Sequence, residues 1–220
     1  EGGVAQVTTQ PQHPDIAQDP TGTYYHKKLW AHLGILGDTC GGEWYPRLFV
    51  DDGAFPNAEY DLYRMFAGYE QFLEGEDLSS GTWVEIGTDL TGDRRIEVSN
   101  ATGELRAWGV QDTASGRTLL WVDNAADTWR AAVDGVAAPP VSGTAVLENL
   151  EPREGYQIEW WDPYTANSDA IGTTLATADA NGAIDVTVNG LVQGVAIKVA
   201  TYKAYRCYLP LTTRATLDDA

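Results

Sequence analysis

Apolar residues recur every three or four positions in two stretches of the first third of the chain, the spacing of one helix face. The first stretch predicts a helix that opens after Asp19-Pro20 and ends at Gly37. Its apolar stripe consists of Tyr25, Leu29, Leu33 and Leu36. A stripe of this kind is typical of a helix that packs one side against a core.

The second stretch predicts a longer helix over residues 57–74, with Asn57 as its N-cap and Gly75 as its stop. Residues 40–50, between the two helices, predict a short strand-like or irregular segment. Two helices alone bury little apolar surface, so this third of the chain must pack on the remainder or on something outside it. The apolar face of the second helix consists of Leu62, Met65, Phe66, Tyr69, Phe72 and Leu73.

From about residue 81, short runs rich in Val, Ile, Thr and Trp alternate with Gly, Asp and Asn turns. A spacing of roughly ten residues between turns is typical of an antiparallel sandwich. Ala180-Asn181-Gly182 predicts a hairpin-like turn. The predicted strands are 83–86, 95–99, 104–110, 117–122, 127–132, 144–148, 155–161, 171–177, 183–189 and 194–202.

These patterns predict an α+β chain that is mainly an antiparallel β-sandwich, preceded by a segment with two helices. The chain changes character near residue 80, and the last residues show no clear pattern. The predicted divisions are a helical segment at 1–80, a β-sandwich at 81–202 and a C-terminal tail at 203–220.

Two adjacent tryptophans, Trp160 and Trp161, lie in one predicted strand. Successive strand residues face opposite sides of a sheet, so one indole points into a core and the other away from it. The second indole either packs against the helical segment or forms an exposed sugar-binding platform. The other strand tryptophans are predicted core residues: Trp83, Trp108, Trp121 and Trp129.

The formal net charge of −18 excludes nucleic acid as an expected partner, because an acidic surface repels phosphate backbones. No apolar run reaches transmembrane length, so membrane insertion is not expected. Cys40 and Cys207 form no CxxC pattern and are either two buried thiols or one disulfide. His13, His26 and His32 lack metal-ligand spacing and are predicted to be structural or surface residues. The sequence therefore predicts no metal site and no cofactor.

Five segments in the β-region resemble, in order and spacing, the C-terminal sandwich that follows the catalytic barrel in many bacterial glycoside hydrolases. The resemblance covers roughly residues 95–200. That module is sometimes labelled a collagen-binding domain, which is a family name and not evidence about collagen. The segments are Arg106-Ala107-Trp108-Gly109, Leu119 to Asn124, Thr128-Trp129, Gly155 to Asp162 and Val195 to Val199.

The first third resembles the end of the clan A (β/α)8 barrel of the same enzymes. The run His26 to Ala31 resembles the helix after barrel strand seven, and Trp44-Tyr45 falls at the aromatic end of strand eight. The helix over 57–74 resembles the last barrel helix. The resemblance thus implies that residues 1–80 are a partial (β/α)8 barrel.

The resemblance also implies a chemistry, that of a retaining glycoside hydrolase, in which two carboxyls lie about 5–5.5 Å apart. Glu1-Gly2-Gly3 falls where these enzymes carry the nucleophile, so Glu1 is the candidate nucleophile, an evolutionary remnant or a cut site. The acid/base carboxyl would lie upstream. Trp44 and Tyr45 either stack on a sugar ring or pack ordinarily.

Two functions remain open. The resemblance implies a C-terminal fragment of a secreted glycoside hydrolase that is located outside the cell or at the cell surface. The first residue of the chain is then expected to be the product of processing. Two of eight barrel units cannot close a barrel, so the fragment alone is expected to be inactive. Expected partners are a polysaccharide or oligosaccharide, and a second chain completing the barrel or another copy of this chain. The alternative is a noncatalytic extracellular module with a structural, assembly or binding role.

Overall fold

The computed structural model describes residues 19, 21–36, 63–164 and 170–202. Helix α1 (Thr23–Ala31) continues into a 3-10 turn at His32–Gly34, and helix α2 spans Tyr63–Leu73. Both lie inside the predicted ranges. The buried carboxylate of Asp19 accepts a hydrogen bond from the Tyr24 backbone N–H at 3.0 Å, which supports the start of α1.

The described part of the chain holds nine strands in two antiparallel sheets. The larger sheet has the order β1-β3-β4-β9-β6-β7, and the smaller has the order β2-β5-β8. The prediction of a mainly antiparallel β-fold with few helices is confirmed, whereas the barrel segment stays a prediction. The strands are β1 (Trp83–Gly87), β2 (Glu97–Ser99), β3 (Leu105–Asp112), β4 (Thr118–Asn124), β5 (Val141–Leu147), β6 (Gly155–Trp161), β7 (Ala170–Thr177), β8 (Ile184–Leu191) and β9 (Gly194–Thr201).

The two sheets enclose one apolar core, called the sandwich core here. It is built from alternate residues of the strands, because only every second side chain faces the opposite sheet. From β4 and β9 these are Leu120, Val122, Ile197 and Val199, all fully buried. Tyr156 of β6 fills the space beside them, and its hydroxyl accepts a hydrogen bond from the Glu151 backbone N–H at 2.9 Å.

A second core lies on the outer face of the larger sheet, where α1 and α2 pack; we call it the helix–sheet core. Its aromatic rings meet edge to face: Trp30 lies 5.1 Å from Tyr69 and 5.2 Å from Phe72 between ring centroids. The described part of the α2 stripe therefore folds back on the sandwich. The buried members are Leu29, Trp30, Leu33, Tyr69, Phe72, Trp83, Val110, Leu119, Trp121 and Ala196.

The tryptophan pair of β6 divides between the two cores. Trp160 packs against the sandwich core and donates a hydrogen bond to Thr174 Oγ1 at 3.1 Å. Trp161 packs in the helix–sheet core, 5.8 Å from Phe72 between ring centroids. The prediction of one indole in the core and one against the helical segment is confirmed.

One predicted strand is wrong: residues 127–132 do not form a strand, because Trp129–Val133 is a short helix, α3. The Thr128 hydroxyl caps it by accepting a hydrogen bond from the Ala131 N–H at 3.1 Å. Gly135, at φ 67°, closes its other end, where the Val136 N–H reaches the Ala131 carbonyl at 2.8 Å. Trp129 is consequently half-buried, and its prediction as a core residue is wrong.

The turn at Ala180-Asn181-Gly182 exists but does not make a hairpin. Asp179 Oδ1 accepts hydrogen bonds from the N–H groups of Asn181 and Ala183, and Gly182 adopts φ 80°. The strands on either side belong to different sheets, β7 to the larger and β8 to the smaller. The turn is thus a crossover between the two layers of the sandwich.

Candidate functional site

The site residues named from the sequence, Glu1, Trp44 and Tyr45, lie outside the described residues, as do Cys40 and Cys207. Their proposed roles stay predictions. The described residues carry a different candidate, a cleft on the outer face of the larger sheet.

This tryptophan cleft has a volume of about 580 Å³ and lies between α1, the outer face of β3 and β4, and the start of α3. One stripe of α1 forms a wall, with side chains at positions i, i+3, i+4 and i+7. The stripe is Tyr24, Lys27, Lys28 and Ala31. Residues 127–129 form the opposite wall, which includes the half-buried ring of Trp129.

The floor of the cleft is made of two cross-strand pairs. In the register of β3 and β4, Arg106 lies opposite Asp123 and Trp108 lies opposite Trp121. Directly opposed side chains interact, so a charged pair and an aromatic pair come to lie side by side. The two indoles stack with 5.3 Å between ring centroids, and the Arg106 guanidinium lies 5.2 Å from the Trp108 centroid.

Asp123 is the electrostatic centre of the cleft. Its side chain is fully buried, with Oδ1 2.7 Å from Lys27 Nζ and Oδ2 2.8 Å from an Arg106 nitrogen. Burial raises the pKa of Asp123 and outweighs the opposing effect of the two cations. Lys27 also donates to the Asn124 carbonyl at 2.9 Å, so α1 is fixed to the end of β4.

Asp127 extends this network toward the mouth of the cleft. Its Oδ2 lies 3.6 Å from Lys27 Nζ, beyond hydrogen-bond distance. Burial and, to a smaller extent, the negative charge of Asp19 raise the pKa of Asp127, whereas Lys27 lowers it. The pKa of Asp127 is raised on balance. Its carboxyl therefore holds a proton to higher pH than an ordinary aspartate.

Several buried polar atoms of the cleft have no hydrogen-bond partner among the described residues. They are Arg106 Nε, Asp127 Oδ2 and Trp121 Nε1. Buried polar groups are normally paired, because leaving one unpaired costs about 1–3 kcal/mol. The first two are a donor and an acceptor, and both are buried from solvent.

His26, also on α1, is a buried neutral histidine. Its ring stacks on Tyr164 with 3.9 Å between centroids, and neither ring nitrogen has a hydrogen-bond partner in the described part of the chain. Burial, with a smaller effect of the Lys27 charge, lowers the pKa of His26 to about 3. His26 is completely buried, so it is not a surface residue, which was one of the two predicted alternatives.

A third charged group, Glu76, joins the end of α2 to the larger sheet. It pairs with Arg117 and with Lys198, whose Nζ lies 2.9 Å from Glu76 Oε1. Lys198 Nζ also lies 5.2 Å from the Phe72 centroid and 4.9 Å from that of Trp161. Burial alone would raise the pKa of Glu76, but the hydrogen bonds and charges of Arg117 and Lys198 hold it below its usual value.

A second cleft, of about 680 Å³, lies between the end of α2 and β1 and has a largely apolar lining that includes Tyr69, Leu73 and Trp83. None of the unpartnered buried polar atoms belongs to its lining. Its polar lining residues, His32, Glu76, Asp77 and Ser79, are already hydrogen-bonded or ion-paired within the chain. The tryptophan cleft is therefore the stronger candidate.

Neither a family model nor a curated protein matches this chain. Across residues 19, 21–36, 63–164 and 170–202, no three His, Cys, Asp or Glu side chains are grouped so that they could hold a metal ion. In that same portion no helix combines the length and apolarity needed to cross a membrane.

The charged residues of the cleft were not predicted from the sequence pattern, and Trp129 was predicted to be a core residue. Arg106 and Asp123 occupy the outward phase of their strands, the same phase as Trp108 and Trp121. A charge in the same strand phase as two tryptophans is a signal that could have identified them. Lys27 carried no comparable signal, because it meets Asp123 only through the fold.

Proposed function

We propose that this chain is the C-terminal, noncatalytic part of a secreted glycoside hydrolase, acting at the cell surface or outside the cell. In this proposal the sandwich is an accessory domain, and the helical segment is the end of a (β/α)8 barrel. The observation that carries it is the helix–sheet core, in which α1 and α2 share buried side chains with the sandwich.

The contacts in this core support a permanent association. Phe72 of α2 is fully buried against Trp30 and Trp161, so one ring joins both helices to β6. Burial of this kind contributes roughly 25 cal/mol per Å² of apolar surface. A final barrel helix that leads directly into an accessory sandwich would need such an interface.

The chemistry expected of the whole enzyme is retaining hydrolysis of a polysaccharide or oligosaccharide. Glu1 is the proposed nucleophile, and Trp44 and Tyr45 are the proposed sugar-stacking residues. Two barrel units cannot close a cleft, so this chain alone should release no sugar. Activity would require a second chain that supplies the remaining barrel and the acid/base carboxyl.

Sizing and intact-mass measurement of the protein from its natural source test this proposal. We expect a second polypeptide of barrel size to co-purify with the chain. The complex should release sugar from a panel of plant and microbial polysaccharides, and Glu1→Gln should abolish that release. A homopolymer without a second polypeptide would overturn the proposal, as would sugar release unaffected by Glu1→Gln.

The alternative, a noncatalytic assembly module, is favoured by one specific observation. Strand β7 lies at the edge of the larger sheet and exposes Ile171 and Leu175 to 66% and 62%. Among the described strands it pairs only with β6. An exposed apolar edge strand is a template for another strand, so it suits docking between copies of the chain.

Light scattering of the purified chain tests this alternative. We expect assembly that Leu175→Lys weakens, because a charge at an exposed edge opposes strand addition. Asn189→Lys, which adds the same charge to an exposed position on β8, is the matched control and should change nothing. A monomer at all concentrations would refute the assembly role.

A further inference from the structure

We infer that strand β7 is a homodimerisation edge, to which a second copy of this chain adds its own β7 in antiparallel orientation. The larger sheet then continues from one copy into the other. This inference rests on the assembly alternative given above, and it names the partner strand, the register and the number of copies. Among the described strands, β7 lies at the edge of the larger sheet and pairs only with β6.

Of the four edge strands in the described fold, β7 alone has no charged side chain. The other three edges each carry a carboxylate: Glu85 in β1, Glu97 in β2 and Asp185 in β8. Charged side chains on an edge oppose the addition of another strand. A strand without charge is unusual at the edge of a chain whose net charge is −18. A second β7 is equally free of charge, and it therefore suits this edge as a partner.

The hydrogen-bond pattern of the sheet shows which backbone groups of β7 are open. In antiparallel pairs, opposed residues alternate between hydrogen-bonded and non-hydrogen-bonded pairs. The Tyr202 N–H donates to the Gly155 carbonyl at 2.7 Å, so every second residue of β6 from Gly155 onward bonds toward β9. Glu159 belongs to this set and lies opposite Thr173. The backbone N–H and C=O groups of Thr173, and those of Leu175 two residues later, therefore point away from β6 toward the open edge.

The side chains of β7 favour one register between two copies. Ile171, Thr173 and Leu175 are alternate residues, and Ile171 and Leu175 are exposed to 66% and 62%. When Thr173 lies opposite Thr173 of the second copy, Ile171 of each copy lies opposite Leu175 of the other. Directly opposed apolar side chains stabilise a strand pair. The contact is two-fold symmetric and uses the same edge of both copies, so the assembly closes at two.

The electrostatics of this arrangement permit the contact. Glu159 of β6 lies opposite Thr173, so the Glu159 residues of the two copies are three strand spacings apart, about 14 Å. This distance exceeds the Debye length of about 8 Å at physiological salt. The net charges of the two copies still repel each other, so the dimer should strengthen as salt screens that repulsion. An interface held by ion pairs would weaken instead.

Sedimentation equilibrium of the full chain tests the inference at concentrations from about 1 to about 500 μM. We expect a monomer–dimer equilibrium with a dissociation constant of about 1–100 μM, because one strand of eight residues makes a small interface. Raising the salt concentration from about 0.05 M to about 0.5 M should lower that constant several-fold.

Thr173→Lys and Thr173→Glu test the register. Each variant alone places two like charges directly opposite each other, so each should raise the dissociation constant by about tenfold or more. An equimolar mixture of the two variants brings opposite charges together and should restore the dimer. Thr177→Lys is the matched control, since it adds the same charge to the same strand but lies beyond the paired stretch from Ile171 to Leu175. It should change the dissociation constant by less than about threefold.

The inference is overturned if Thr173→Lys dimerises as tightly as the wild type, or if the mixture of the two variants stays monomeric. An assembly that Thr173→Lys leaves intact refutes the β7 pairing but keeps the assembly alternative. A chain that is monomeric up to about 500 μM refutes both. The sugar-release assay on the larger enzyme is a separate measurement, so a failure of the proposed hydrolase is told apart from a failure of dimerisation.

Discussion

Replacement of Glu76 by Gln tests how firmly the helical segment is fixed to the sandwich. Glu76 follows α2 and pairs with Lys198 of β9, and their side chains are only 4% and 6% exposed. Gln keeps the shape of the side chain and one acceptor oxygen but removes the charge. Lys198 is then left charged between the rings of Phe72 and Trp161, without its carboxylate.

The loss of stability expected from Glu76→Gln depends on how deeply the ion pair is buried. Removing one partner of a buried ion pair costs about 3–5 kcal/mol, because the other charge stays buried and uncompensated. Arg117, the second partner, is 33% exposed and can be hydrated in part. The amide oxygen of Gln also retains one hydrogen bond. We therefore expect Glu76→Gln to lower the free energy of unfolding by about 2–3 kcal/mol.

Urea unfolding followed by tryptophan fluorescence measures this change. The matched control is Glu97→Gln, which breaks an Arg95–Glu97 pair of 2.6 Å whose side chains are 50% and 61% exposed. Exposed pairs contribute about 0–1 kcal/mol, so the control should change little. Adding Lys198→Met to Glu76→Gln should recover part of the loss, since the unpaired charge is then gone.

The pH dependence supplies an independent check on Glu76. Its pKa in the folded chain lies below the value of about 4.3 expected when unfolded. Its stabilising effect is therefore present above that pH and is lost as the pH falls through the folded pKa. The difference between wild type and Glu76→Gln should shrink in this acid range. A loss below about 1 kcal/mol at pH 7, equal to that of the control, would refute the reasoning.

Three further changes test other parts of the structure. The folded pKa of His26 is about 3, against about 6.5 unfolded, so stability should rise with pH between these values by at most about 1.4 kcal/mol per unit. His26→Phe should flatten that slope in urea titrations at several pH values; an unchanged slope contradicts this. A methyl at Gly109 would lie 2.0 Å from the Leu119 carbonyl oxygen, so Gly109→Ala should cost about 1–3 kcal/mol in thermal unfolding. Gly172→Ala, with open space around it, should cost less than about 0.5 kcal/mol; equal losses would refute the contact. Thr128→Ala should cost α3 about 1 kcal/mol, measured as faster amide exchange in its first turn, and unchanged exchange would exclude the cap.

The strands could be predicted from the sequence because their apolar alternation is local. Nine of the ten predicted runs correspond to strands, and the tenth, 127–132, is α3. Thr128 and Gly135, one before and one after the helix, were signals of its ends. The short run around Trp129 was nevertheless predicted to be a strand. A helix of five residues is too short to show a clear helical period in the sequence.

The arrangement of the strands could not be predicted, because sheet membership depends on contacts far apart in the chain. β7 and β8 are neighbours in sequence, yet they lie in different sheets. The cleft has the same origin. Lys27 and Asp123 are separated by 96 positions and meet only because α1 packs on β4. Their spacing in the sequence contains no trace of that contact.

The two cores lead to one conclusion about how the chain is organised. The larger sheet is apolar on both faces, as strands are when layers cover them on each side. Strand β4 shows this most clearly, because Leu119, Leu120 and Trp121 are all buried although they alternate in direction. A sandwich without α1, α2 and Glu76 would expose one of these faces and leave Lys198 without its carboxylate. The change in sequence character near residue 80 therefore separates the helices from the strands. Packing joins the helices and the strands across the larger sheet, which also forms the floor of the tryptophan cleft.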